Sequence, residues 1–187
     1  EKAKVGLYNA KSIASVPEEF KKKYPLTVAF RLQKHSSVIE KHLNPGEKVN
    51  YIFCGQKNYD SLMMCNTCVV ALTDRRILIA QKRLLWGYFL TMITPDMYND
   101  LKVIKGLIWS NIEIDTIKEH VYISNLDPKA ADDIETAITE FMMSEKKKYG
   151  KNQLAKLFVI CIIVFNHICL CRNTSTGRLF AGFRIFF

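Results

Sequence analysis

Short segments with the two-residue periodicity of β-strands follow one another from Lys48 to Ile123, and one helix with clear start signals begins at Asp127-Pro128. Successive side chains of a strand point to opposite faces, so alternation of this kind is typical of strands with one buried face. A chain with its strands first and a single helix last is compatible with only a few small β-barrel or β-roll folds. No other feature constrains the fold of this 187-residue chain as strongly.

Turn signals divide this region into seven predicted strands. The predicted strands are 49–54, 62–72, 77–80, 84–93, 101–105, 107–115 and 120–123. Residues 73–76 predict a tight turn in which Asp74 accepts hydrogen bonds from its own downstream amides. Gly87, inside the fourth predicted strand, indicates a bulge or a bend. In the sixth strand, Ile112 and Ile114 alternate with polar residues and indicate the buried face.

Two helices are predicted before the strands. Residues 15–18, Ser-Val-Pro-Glu, resemble a capping box and open a short helix that Pro25 ends. A second helix is predicted over 26–43, where apolar residues recur at helical spacing. Pro45 and Gly46 follow it, and these residue types terminate helices.

The last helix carries a start signal at each of its first positions. Asp127 is a favourable N-cap, and Pro128 fits the first helical position. Asp132 and Asp133 favour the positive end of the helix dipole. The apolar stripe consists of Ala130, Ile134, Ala137, Ile138, Phe141 and Met142. We therefore expect one amphipathic helix packed on the strands.

Several short motifs occur in order between residues 43 and 145. They are 43–47 (LNPGE), 70–79 (VALTDRRILI), 86–87 (WG), 101–109 (LKVIKGLIW), 112–114 (IEI) and 123–126 (ISNL). This pattern resembles a bacterial pleckstrin-homology-like (PH-like) domain, in particular the YokE-like group. The resemblance implies a mainly β fold, a seven-stranded bent β-barrel closed by the C-terminal helix and preceded by N-terminal helices. It implies no established enzymatic activity.

Three regions are predicted from these patterns. Residues 1–42 form an N-terminal lead-in with one or two helices, residues 43–149 form the PH-like domain, and residues 150–187 form an apolar and basic tail. The tail changes character from Leu154, and its apolar run, residues 157–171, is about fifteen residues long, shorter than the roughly twenty that cross a bilayer. Three interpretations of the tail stay open: a short membrane anchor, an additional packed element, or a segment foreign to the domain through a reading-frame error.

The net charge of +9 raises the question of a nucleic-acid or acidic-membrane partner. Residues 51–125 carry eight Lys and Arg against seven Asp and Glu, so the excess lies toward the ends of the chain. This distribution argues against nucleic acid. An aromatic group at Trp86, Tyr88 and Phe89 could stack on single-stranded bases. Because its surroundings are not especially basic, these residues are predicted to pack in the core.

Eukaryotic relatives of the fold often bind phosphoinositide headgroups through Lys and Arg between the first two strands. Here that loop offers only Lys57, which argues against this ligand. The nearest basic cluster brackets the third strand and consists of Arg75, Arg76, Lys82 and Arg83. Guanidinium groups bind phosphate bidentately, so the cluster is a candidate site for an anionic group. In the alternative interpretation, Arg75-Arg76 stabilises a turn and Lys82 and Arg83 solvate a hairpin.

The six cysteines form no disulfide pattern, and no charged-then-apolar leader is visible. Reduced thiols and a cytoplasmic location are therefore expected, with membrane association through residues 154–171 as an alternative. Cys65-x-x-Cys68 lacks the four ligands of a structural zinc site, and residues three apart on a strand face opposite sides. His167-x-Cys169-x-Cys171 also lacks a fourth ligand. We expect no metal and no cofactor.

The sequence contains no Gly-rich phosphate loop, nucleophile elbow or zincin helix. The expected function is a non-enzymatic PH-like interaction module that binds a protein partner or forms a homo-oligomer. The alternative is a protein held at an anionic membrane surface by its apolar tail and basic ends.

Overall fold

The computed structural model describes residues 13–58 and 66–147. The chain divides into two compact units, residues 1–146 and 147–187. The elements are α1 (Val16–Lys23), α2 (Leu32–His42), β1 (Val49–Gln56), β2 (Thr67–Thr73), β3 (Ile77–Lys82), β4 (Tyr88–Ile93), β5 (Tyr98–Lys105), β6 (Ser110–Thr116), β7 (His120–Leu126) and α3 (128–147). The predictions for residues 59–65, which include Cys65 and the start of the second strand, and for the tail from residue 148 lie outside the described residues.

Seven strands form one antiparallel sheet in the order β4-β3-β2-β1-β7-β6-β5. The strand β1 pairs with β2 over its whole length and meets β7 only at its end, where Gln56 pairs with Ser124. Gly55 allows this close crossing, because a Cβ atom there would lie 2.8 Å from Ile123 Cγ2. The predicted seven-stranded fold is confirmed.

The core lies between this sheet and the helices. Every side chain of β2 is buried, and in β6 Ile112 and Ile114 are buried on the predicted face. The apolar stripe of α3 also faces the core, with Ala130, Ile134, Ile138, Phe141 and Met142 buried and Ala137 half-buried. The C-terminal helix therefore packs on the sheet as the sequence predicts.

The second helix begins six residues later than predicted. Thr27 Oγ1 accepts a hydrogen bond of 3.1 Å from the amide of Asp127, and the amide of Val28 donates one of 2.9 Å to the carbonyl of Asn125. These bonds fix residues 26–31 as a linker along the start of α3. Arg31 then enters α2 with a left-handed φ of 54°. The predicted start at Leu26 is wrong because tertiary hydrogen bonds outweigh local helical preference.

Two turns also differ from the prediction. In the β2–β3 turn, Thr73 Oγ1 accepts hydrogen bonds from the amides of Arg75 and Arg76. Asp74 Oδ1 instead accepts a hydrogen bond from the amide of Lys48. The fourth strand begins at Tyr88 rather than at residue 84. Gly87 has a φ of +79° and closes the β3–β4 hairpin, so it forms a turn and not a bulge within a strand.

Candidate interaction site

Arg76, one of the four predicted anion-binding residues, is held by a buried carboxylate. Its Nε lies 3.0 Å from Glu47 Oε1, and its Nη2 lies 2.9 Å from Glu47 Oε2 and 2.8 Å from the carbonyl of His42. Burial alone would raise the pKa of Glu47, but hydrogen bonds from Arg76, Asn44 and Thr73 outweigh it and hold the pKa below its usual value. This bidentate pair ties the β2–β3 turn to the segment before β1.

The structure places Arg75 at one end of β3 and Lys82 and Arg83 at the other. Arg75 is exposed at the start of β3, whereas Lys82 ends that strand and Arg83 follows it. Six strand residues span roughly 20 Å, so one phosphate group does not touch both ends of β3. The Arg83 guanidinium lies 5.1 Å from the centre of the Phe89 ring, and the Lys82 amide donates to His35 Nδ1 at 2.7 Å.

The β3–β4 hairpin carries the largest departure from the sequence prediction. Leu84, Leu85 and Trp86 are 78%, 78% and 84% exposed, and Tyr88 and Phe89 are also exposed. The prediction that the aromatic residues pack in the core is therefore wrong. Gly87 is the available sequence signal, because a glycine after three apolar residues is compatible with a tight turn as well as with a strand.

The strand β4 forms one edge of the sheet, and its outer side pairs with no strand of the described residues. Its sequence, Tyr-Phe-Leu-Thr-Met-Ile, contains neither a charge nor a proline. The opposite edge, β5, contains Asp100, Lys102 and Lys105, and its register shifts between Tyr98 and Asp100. The two edges of one sheet thus present different chemistry to solvent.

The described cysteines lack the features of a reactive site. Cys54 and Cys68 are both buried, free thiols on neighbouring strands. Burial raises the pKa of the Cys68 thiol to about 12, so the thiolate that acts as nucleophile or metal ligand is scarce. Residues 13–58 and 66–147 contain no group of three His, Cys, Asp or Glu that could hold a metal ion.

A sheet of seven antiparallel strands, covered by one C-terminal helix and bordered by exposed loops, defines a small domain of the β-barrel type. The chain belongs to the bacterial PH domain family, whose model matches residues 43–140. PH domains are generally non-catalytic modules that bind proteins or lipids. Comparison with curated proteins gave no match. Among the described helices, none has the length and apolarity needed to span a bilayer.

Proposed function

We propose that this protein is a non-enzymatic interaction module that associates with a second copy of itself through the β4 edge. The observation that carries the proposal is the uncharged strand at the end of the sheet order. An edge strand presents a row of backbone N–H and C=O groups, and another chain pairs with them by strand addition. Charges, prolines and bulges usually prevent such pairing, and β4 has neither of the first two.

The side chains of β4 fit an antiparallel pairing with an identical strand. In a register centred on Leu90, Tyr88 lies opposite Met92 of the second copy, and Phe89 lies opposite Thr91. Tyr88 and Met92 are exposed in the single chain. Apolar cross-strand pairs stabilise a sheet by about 0.2–1 kcal/mol each relative to alanine pairs. A two-fold axis repeats every such contact, as in most homodimers.

The strand is already held in the conformation that pairing requires. Tyr88 Oη hydrogen-bonds to His42 Nε2 at 2.9 Å, and Arg76 Nη1 lies 3.0 Å from Met92 Sδ. Contacts from α2 and the β2–β3 turn therefore fasten both ends of β4. A preformed strand loses less conformational entropy on association than a flexible one, which favours binding.

Sedimentation equilibrium of the full chain tests the proposal with two matched variants. Phe89 in β4 is 53% exposed and Ile104 in β5 is 46% exposed. We expect the unsubstituted protein to dimerise and Phe89→Glu to weaken the dimer by about 100-fold or more, because the two-fold axis places the carboxylate in the interface twice and the second copy partly desolvates it each time. The Arg83 guanidinium beside position 89 preserves a favourable contact within the hairpin. Ile104→Glu is expected to dimerise normally.

A protein that is monomeric at every concentration would overturn the proposal, as would equal weakening by both variants. Circular dichroism of each variant shows whether the fold is retained, so that loss of the dimer is not confused with unfolding.

We also propose a subgroup within the family and a cellular location. Membership of the YokE-like group rests on the ordered motifs between residues 43 and 145. A cytoplasmic location rests on Cys54 and Cys68, which lie on neighbouring strands as free thiols and not as a disulfide.

A further inference from the structure

Met92 places a thioether sulfur on the β4 edge of the sheet, where 46% of the residue is exposed. Arg76 Nη1 donates a hydrogen bond of 3.0 Å to Met92 Sδ. The Arg76 guanidinium is itself fixed by the buried Glu47 carboxylate and by the carbonyl of His42. The sulfur is therefore held at one place on the strand, although methionine side chains are otherwise among the most flexible.

The other methionines that the structure describes have different surroundings. Met142 is buried, and Met97 is half-buried against the core. Met143 is 55% exposed, but it lies in α3 and not in the sheet. Among residues 13–58 and 66–147, Met92 is therefore the methionine that combines exposure with a position on a sheet edge.

A thioether reacts with hydrogen peroxide through a lone pair of its sulfur. One peroxide oxygen is transferred to Sδ: the S–O bond forms, the O–O bond breaks, and water leaves. The sulfur loses two electrons, and each peroxide oxygen gains one. Because the Arg76 guanidinium occupies one lone pair of Met92 Sδ, the oxidant reacts at the other. The product is methionine sulfoxide, whose polar oxygen then points away from the guanidinium.

The side chain that faces Met92 in the proposed dimer has no hydrogen to donate to this oxygen. In the register centred on Leu90, that side chain is Tyr88 of the second copy. A carbonyl only accepts, so His42 Nδ1 donates its proton to the carbonyl of Val38 at 2.7 Å. The neutral Nε2 then accepts from Tyr88 Oη at 2.9 Å, which uses the hydroxyl hydrogen.

The sulfoxide oxygen is therefore desolvated without a hydrogen-bond partner when two oxidised chains pair. Burial of an unpartnered polar group disfavours association. The two-fold axis imposes this cost twice in each dimer. In the single chain, by contrast, water solvates the same oxygen, because Met92 is exposed there.

We infer that Met92 is a redox-sensitive site, and that its oxidation by peroxide releases the second copy from the β4 edge. The inference rests on the proposed self-association and names a regulation of that same surface. Peroxide reaches Met92 in the single chain, whereas the dimer covers it, so oxidation shifts the equilibrium toward single chains. A reductase that uses a dithiol restores the thioether, and the products are a disulfide and water, so the modification is reversible.

Sedimentation equilibrium of the full chain before and after treatment with hydrogen peroxide tests the inference. Dithiothreitol added after the treatment reverses disulfides and sulfenic acids of the six cysteines and leaves methionine sulfoxide in place. Mass spectrometry of peptides quantifies the sulfoxide at each methionine. Met92→Leu and Met143→Leu are the matched variants, because both residues are about half exposed and leucine conserves volume without being oxidised.

We expect oxidation to raise the dissociation constant of the dimer at least about tenfold in the unsubstituted protein and in Met143→Leu, and to leave Met92→Leu unchanged. Equal weakening of Met92→Leu would overturn the inference, since another oxidised residue would then be the cause. A dimer that persists after Met92 is oxidised, or a Met92 that stays reduced while Met143 is oxidised, would overturn it as well. A protein that is monomeric before treatment would instead overturn the proposed self-association, and this inference with it.

The variant Met92→Gln separates the effect of polarity from other oxidative damage. Its amide introduces a polar group at the same position without any oxidant, and circular dichroism shows whether the fold is retained. We expect its dimer to dissociate at least about fivefold more readily than that of Met92→Leu. Equal dimerisation of the two variants would contradict the desolvation argument.

The extent of oxidation gives an independent measurement of whether the dimer covers Met92. A brief exposure to peroxide at increasing protein concentration oxidises the accessible methionines, and the sulfoxide at Met92 is compared with that at Met143 in the same sample. We expect this ratio to fall as the protein concentration rises, because dimerisation shields Met92. A constant ratio in a sample that dimerises would overturn the inference.

Discussion

The strands β4 and β5 follow each other along the chain but form opposite edges of the sheet, and they differ in how they resist pairing with other strands. The β5 edge carries Asp100, Lys102 and Lys105 together with a register shift, whereas the β4 edge is uncharged. Charges and bulges are the usual protection of an edge strand. The comparison supports the proposal that β4, rather than β5, is the edge that accepts a further strand.

Exposure alone does not distinguish these two edges. Phe89 in β4 and Ile104 in β5 leave similar fractions of their surfaces in solvent. What differs is the charge on the residues beside them, since Ile104 is followed directly by Lys105 and Phe89 is flanked by Tyr88 and Leu90. The charge of the neighbouring side chains, and not the exposed apolar area, is therefore what favours β4 as the proposed interaction edge.

The largest expected effect comes from breaking the ion pair between Arg76 and Glu47, which lies on the β4 side of the sheet. Arg76→Met leaves the Glu47 carboxylate buried without its partner, so we expect the free energy of unfolding to fall by about 3–5 kcal/mol. Lys105→Met is the matched change on the β5 side, where the pair with Asp132 is exposed, and is expected to cost about 0.5 kcal/mol or less. Urea denaturation measures both, and equal losses would contradict the difference between the two sides.

Acid is expected to destabilise the contact between α2 and the end of β3. Burial, and to a smaller extent the charge of Arg31, lowers the pKa of His35 to about 4, and its Nδ1 accepts from the Lys82 amide. The unfolded chain therefore binds the proton more readily than the folded chain does. The stabilisation from neutral His35 is complete above about pH 6.5 and decreases as the pH falls toward 4. We expect a loss of about 2–3 kcal/mol over this range in urea titrations.

His35→Asn is the control for this pH dependence. The amide oxygen of asparagine can occupy a place near that of Nδ1 and does not titrate. The free energy of unfolding of the variant is therefore expected to change less between pH 6.5 and 4 than that of the unsubstituted protein. An identical slope in the variant and in the unsubstituted protein would show that other groups cause the acid sensitivity.

The smallest expected effect is the opening of the protected edge. Asp100→Thr combined with Lys102→Thr removes two charges from β5 and introduces a residue that favours strands. We expect a shift of about 0.5–1 kcal/mol in favour of a second strand pairing, seen by light scattering as species larger than the dimer at high protein concentration. If the variant stays dimeric, charge is not what protects this edge.

The sequence predicts the order of the elements well because their signals are local. Asp127 caps α3 as expected, with Oδ1 accepting from the amide of Lys129 at 3.0 Å. The alternation in β6 also appears as predicted. Such features depend on neighbouring residues, so one chain suffices to recognise them.

The parts that the sequence does not predict depend on distant contacts. Residues 84–86 are apolar, and an apolar run has the same pattern in a buried strand as in an exposed hairpin tip. The start of α2 is fixed by Asn125 and Asp127, about a hundred residues away. Likewise, the partner of Arg76 is Glu47, and no periodicity relates the two. The exposed hairpin tip and the buried ion pair therefore emerge only from the fold.

Hydrogen exchange of the two edge strands tests the central claim most directly. The full chain is incubated in deuterated buffer at increasing protein concentration, and the amides of β4 and β5 are followed by mass spectrometry or NMR. If a second copy pairs with β4, its outward-facing amides become protected as concentration rises, while those of β5 exchange at a constant rate. Exchange of β4 that does not depend on concentration, or equal protection of both edges, would contradict the account.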